Sequence, residues 1–182
     1  IVRITTIDYD RSFIPDDKQP VYDGWLSVGS TLNQQVSLSD GKQIPIQIIS
    51  YYDDIKDFNF DPGKKQIQFT MPFDWNITRL EDQKQIMVHQ EVLIPKGNSL
   101  ASQSYTGTIN GTDVTKNLMV DPSNSTKNVV HFMLPKPAII QIAEEVNNNG
   151  QAVSDGLMEF SLTPSTNATS SSMNKMTNMT GM

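Results

Sequence analysis

The chain has 182 residues, 37% of them hydrophobic and 19% charged, with two histidines and no cysteine. Fourteen Lys and Arg against 20 Asp and Glu give a net charge of -6, which argues against a nucleic-acid surface built on clustered cations. The missing cysteine excludes disulfides, thiolate zinc sites, Cys nucleophiles and a blue-copper centre, and no apolar run reaches the ~18 residues of a membrane-spanning helix.

The sequence opens at Ile1 in an apolar alternating segment. This reads as a processed N-terminus from which a signal peptide or anchor has been removed. Val2 to Ile7 is expected to be a strand, and Ile1, Val2, Ile4 and Ile7 form a candidate interface that could be donated to a partner's sheet edge. Further strands are expected at Gly24 to Val28, Gln35 to Leu38 and Ile44 to Tyr51. Asp61-Pro62-Gly63-Lys64 then marks a hairpin turn between the Phe58/Phe60 alternation and Gln66 to Met71. Pro presets one turn position there, and Gly is expected to accept positive φ.

Strands are next expected at Ile86 to Ile94, Ser104 to Ile109, Asn117 to Val120, Val129 to Leu134 and Leu157 to Leu162, with turns at Ser39-Asp40-Gly41-Lys42, Lys96-Gly97-Asn98, Asn110-Gly111 and Asp121 to Asn124. Short strands at this spacing predict an all-β, antiparallel two-sheet sandwich, Ig-like or jelly-roll-like. Helix is scarce. Pro137 to Val146 carries an apolar stripe at helical spacing, and Thr78 to Glu81 has the capping-box pattern of a single turn. Residues 1–163 are expected to form the sandwich. Residues 164–182, rich in Ser, Thr, Asn and Met and without Ile, Leu, Val or aromatic residues, read as a flexible tail or stalk.

Five sequons, at Asn76, Asn110, Asn124, Asn167 and Asn178, point to N-linked glycans and an extracellular setting. The histidines lie on two expected strands. Alternation puts Val88 and Val92 toward the core and Met87, His89 and Glu91 opposite. It likewise separates Val130, Phe132 and Leu134 from Val129, His131 and Met133. Were the strands neighbours, His89, His131, Met87 and Met133 would share one face, a soft ligand set suited to copper and above all Cu(I). A slip of one residue would dissolve that site, and histidines satisfied by local hydrogen bonds are the simpler alternative. Met173, Met176, Met179 and Met182 recur at every third residue and offer a second thioether run, with a plain stalk as the alternative reading. The acidic run Asp53, Asp54, Asp57 and Asp61 lacks calcium-loop spacing and reads as solvated charge. Trp25, Tyr51, Tyr52, Trp75 and Tyr105 would suit a glycan-binding groove, or else core and rim. No nucleophile elbow, zincin motif or phosphate loop is present, so a non-catalytic protein is expected.

The block DFNFDPGKKQIQFTMPFDWN, followed by QIMVHQEVLIPKGNS, SYTGTINGT, VVHFML and MEFSLTP, resembles a family of membrane-anchored extracytoplasmic proteins of ammonia-oxidising archaea. The resemblance spans about Asp57 to Pro164. It implies an exported β-rich domain carried by a membrane protein, with no assigned activity, in organisms that rely on copper enzymes such as a membrane ammonia monooxygenase. The leading expectation is therefore a cell-surface sandwich acting through protein contacts, as an accessory to a membrane complex or in a surface layer or filament of its own copies. Any membrane attachment would come through a segment outside this chain. A copper-binding or copper-delivery domain is the alternative, and a glycan-binding module the third.

Overall fold

A computed structural model describes residues 30–148 and 156–165 of the chain. The expected strands at 2–7 and 24–28, the interface residues Ile1, Val2, Ile4 and Ile7, Trp25, the sequons Asn167 and Asn178, and Met173, Met176, Met179 and Met182 lie outside the described residues.

Among the described residues, period-two alternation becomes ten strands in two antiparallel sheets. The strands are β1 (Thr31–Ser37), β2 (Gln43–Ser50), β3 (Phe58–Asp61), β4 (Gln66–Pro72), β5 (Met87–Pro95), β6 (Tyr105–Ile109), β7 (Thr112–Asp113), β8 (Leu118–Asp121), β9 (Lys127–Pro135) and β10 (Leu157–Pro164). One sheet runs β1-β2-β5-β9-β8, the other β3-β4-β10-β6-β7. Each sheet turns every second side chain inward, so that Ile44, Ile46, Ile48, Val88, Val92 and Val130 of the first meet Ile67, Phe69, Met71, Met158, Phe160 and Leu162 of the second in one buried core. The predicted sandwich is therefore the observed architecture.

Phe132 of β9 ties the two layers together. Its ring meets Phe160 edge-on at 5.3 Å and Phe69 at 6.3 Å, while those two stack on each other at 4.6 Å. Opposite it the backbone of β6 comes close at Gly107, where an added Cβ would stand 3.1 Å from Phe132 Cε1 and 3.0 Å from Leu118 Cδ1. A glycine inside a strand often marks such a close approach. Because strand neighbours point to opposite faces, the locked Phe132 fixes His131 on the outer face of the first sheet.

The helices are more extensive than expected. Helix α1 (Ile77–Asp82) and helix α2 (Lys136–Asn148) both form. Helix α2 buries Ile139, Ile142, Ala143 and Val146, and Lys136 Nζ donates to the carbonyls of Glu81 at 2.6 Å and Gln83 at 2.5 Å. That satisfies orphan carbonyls at the end of α1. Two local expectations are corrected. The N-cap of α1 is Asn76, whose Oδ1 accepts from Arg79 N at 3.1 Å, so Thr78 lies inside the helix and caps nothing. In the β3–β4 turn the positive φ (54°) falls on Lys65, not Gly63. Asp61 Oδ1 accepts from the amides of Gly63 and Lys64 at 2.9 and 3.0 Å, winding the loop tightly enough to push the left-handed residue to its last position.

Candidate metal centre

Strands β5 and β9 are neighbours, and their register pairs His89 with Met133 and Glu91 with His131. His89, Glu91, His131 and Met133 therefore occupy a two-by-two block on the outer face, with the two imidazoles on one diagonal. His89 Nε2 and His131 Nδ1 stand 3.1 Å apart. Glu91 Oε1 lies 3.7 Å from His89 Nε2 and 3.4 Å from His131 Nδ1. Among the described residues, this is the one group of three His, Asp or Glu side chains whose ligand atoms converge in this way. The side chains are 25% (His89), 14% (His131) and 17% (Glu91) exposed, sheltered but open to solvent and to ions.

Tyr51 builds the near wall. Strand β2 stops at Ser50 because Ser50 Oγ donates to the Asp53 carbonyl at 2.5 Å and accepts from the Asp53 amide at 3.3 Å. The next amide, Tyr51 N, still donates to the His89 carbonyl at 3.1 Å, so the Tyr51 side chain lands beside His89. Its ring stacks on the His89 imidazole at 4.6 Å, inclined by 9°. Its hydroxyl hydrogen-bonds Glu91, and burial, helped by the Glu91 charge and that bond, pushes the phenol up to about 12. It stays a neutral donor that orients the carboxylate, the kind of outer partner that holds a metal ligand in place.

The surroundings favour a neutral ligand. Ile49 lies across from Glu91, and Leu93 pairs with Val129 one step along the same face. Burial lowers the pKa of His89; the Glu91 charge opposes that shift and the neighbouring His131 adds to it. A neutral imidazole keeps a lone pair for a cation.

Of the expected copper ligands, the structure brings His89, His131 and Met133 together. Met87 shares their face but pairs with Pro135 at the strand end and is 42% exposed. Alternation places Glu91 on this face without marking it as a ligand, and it gives no sign that Tyr51 and Met119 border the site. Met119 of β8 pairs with His131 from the other side and is 52% exposed. A strand pattern shows a residue's face but not its neighbouring strand, so Met119 left no usable signal.

The other candidates separate. Asp54 pairs with Lys56 at 3.9 Å, Asp57 accepts from Thr70 Oγ1 at 3.2 Å, and Asp61 serves its turn, as expected of solvated loop charge. Trp75 and Tyr105 are core residues: Trp75 Nε1 donates to the Leu157 carbonyl at 2.8 Å and Tyr105 Oη to that of Leu100 at 3.0 Å. They line no surface groove with Tyr51. Among the described sequons, Asn76 and Asn124 are exposed. Asn110, half-buried in the β6–β7 turn with φ 47°, donates through Nδ2 to the Leu157 carbonyl at 3.3 Å. No protein-family model, curated protein or solved structure matches the chain.

Proposed function

We propose that this chain is a metal-binding β-sandwich that holds one first-row transition-metal ion on the outer face of its β1-β2-β5-β9-β8 sheet. One observation carries the reading: His89 Nε2, His131 Nδ1 and Glu91 Oε1 converge at 3.1 to 3.7 Å from two paired strands. Donors about 2.0–2.2 Å from a shared tetrahedral ion stand roughly 3.3–3.6 Å from one another, so the three observed edges bracket the spacing such an ion requires. Two imidazoles and a carboxylate suit zinc or Cu(II), and they leave a fourth position for water or an incoming ligand. Tyr51 orients the carboxylate, and the half-buried apolar side chains around it weaken competition from solvent.

Titration of the full chain with Zn(II) and Cu(II) against a chromophoric chelator tests this. One ion per chain is expected, with affinity falling by at least about tenfold in His131→Ala and in His89→Ala. Binding that neither change weakens would overturn the reading.

We place the module at the cell surface, where it would act by binding and by protein contact. The sequons support that setting, Asn124 above all: it is exposed and engages its turn through Oδ1, accepting from the Thr126 and Lys127 amides at 2.9 and 3.1 Å. The exposed Tyr51, Met87 and Met119, all on the metal-bearing face, support contact there. Intact-mass analysis of the protein purified from its source tests the setting: an added glycan is expected, and an unmodified mass would count against it.

A further inference from the structure

We propose that the resident ion is copper in its cuprous state, held by His89, His131 and the thioether of Met133; this rests on the metal-binding reading above. The two-by-two block carries the argument. His89 and His131 fill one diagonal, and Glu91 and Met133 the other. An ion between the ring nitrogens is thus flanked by a hard oxygen on one side and by the position of a soft sulfur on the other.

The hard side is restrained. Tyr51 hydrogen-bonds Glu91, which holds that carboxylate on its own side of the rings and leaves the opposite side of the ion to another ligand. The soft side is in surplus. Met133 pairs with His89, Met119 pairs with His131, and Met87 lies two residues before His89 on the same face. Among the described residues the large exposed hydrophobics are Tyr51, Met87 and Met119, and all three border this block. Core packing gives no reason for an exposed methionine on each side of the block, Met87 at the end of β5 and Met119 on β8. A soft ion does, because Cu(I) prefers few ligands and favours thioether and imidazole, whereas zinc has little use for a thioether. Met133 is the assigned ligand because it alone of the three occupies a corner of the block.

The test is a pair of affinities. In the full chain, with Met173, Met176, Met179 and Met182 replaced by leucine in every sample to remove their thioethers, Cu(I) affinity is measured anaerobically against bicinchoninate and Zn(II) affinity against a chromophoric chelator. Met133→Leu is nearly volume-conserving, and a urea midpoint confirms that it folds. The expected result is Cu(I) binding weakened at least about tenfold in Met133→Leu, Zn(II) binding changed less than about twofold, and both lost in His131→Ala. If Met133→Leu binds Cu(I) as tightly as its parent while His131→Ala still abolishes binding, the thioether assignment falls and the metal site stands. If neither ion binds, or if neither His131→Ala nor His89→Ala weakens binding, both fall.

Discussion

His89 and His131 face each other across the β5–β9 diagonal with Nε2 and Nδ1 3.1 Å apart and ring planes inclined by 22°. At that distance one nitrogen must donate and the other accept, so the pair shares a single proton between two lone-pair positions. A cation that takes the position between them replaces that proton. Metal binding and protonation are therefore alternatives at this pair.

The pH dependence of folding follows from His89. Its pKa in the folded chain lies below the ordinary 6.5, chiefly because of burial. The unfolded chain then binds the proton more readily, and stability falls as pH drops through 6.5 toward the folded value; above 6.5 the group contributes no slope. The urea midpoint of the metal-free chain is expected to fall as pH drops below 6.5, and less steeply in His89→Gln. Equal slopes in the two proteins would show that His89 does not carry the effect.

Gly107 holds the site in place from inside the core. A methyl group there would meet Phe132 Cε1 at 3.1 Å and Leu118 Cδ1 at 3.0 Å. Phe132 is locked between Phe69 and Phe160, so it cannot give way cheaply. Gly107→Ala is expected to destabilise the fold by about 1–3 kcal/mol through overpacking, and to weaken metal binding by displacing β9 and with it His131. Denaturant unfolding and the chelator titration read the two effects.

Gln90, between His89 and Glu91 on β5, points the other way into the core. Its Nε2 reaches Met71 Sδ at 3.2 Å, and its Oε1 is buried without a partner. An unsatisfied buried polar atom costs about 1–3 kcal/mol. Gln90→Met, similar in length and free of that atom, is expected to raise stability by about 1 kcal/mol and to leave metal affinity unchanged. Thermal unfolding checks the first outcome, and loss of stability would contradict it.

Glycan occupancy is expected to differ among the sequons. Asn110 Nδ2 donates inward to the Leu157 carbonyl and its Oδ1 accepts from Glu159 N at 3.0 Å, so a sugar there would break a bond that ties the β6–β7 turn to β10. Asn124 is exposed and uses only its oxygen. Secreted from a glycosylating host, the chain is expected to carry glycan at Asn124 and little at Asn110, as peptide mass mapping would show.

Much of this was legible in the sequence, for a physical reason. Strand alternation decides which face a residue takes, so Met87, His89, Glu91, Val129, His131 and Met133 could be placed outward before any strand was paired. Pairing was not legible. His89 and His131 are 42 residues apart, three strands intervene between β5 and β9, and nothing local to either strand sets their register. Tyr51, read from the sequence as a strand end and a glycan-groove aromatic, could not be set beside His89, because the contact across β2 and β5 that puts it there is not local. The two turn-level errors share a cause. Asn76 and Asp61 take backbone amides through their side chains, and such short-range bonds shift a cap or a left-handed residue by one or two positions without altering the composition around it.

The most direct test of the central claim is an anomalous difference map from crystals of the full chain grown with copper or zinc and measured at the metal's absorption edge. One strong peak is expected within about 2.0–2.3 Å of His89 Nε2 and His131 Nδ1. A peak elsewhere, or no peak with the two rings still in direct contact, would contradict it.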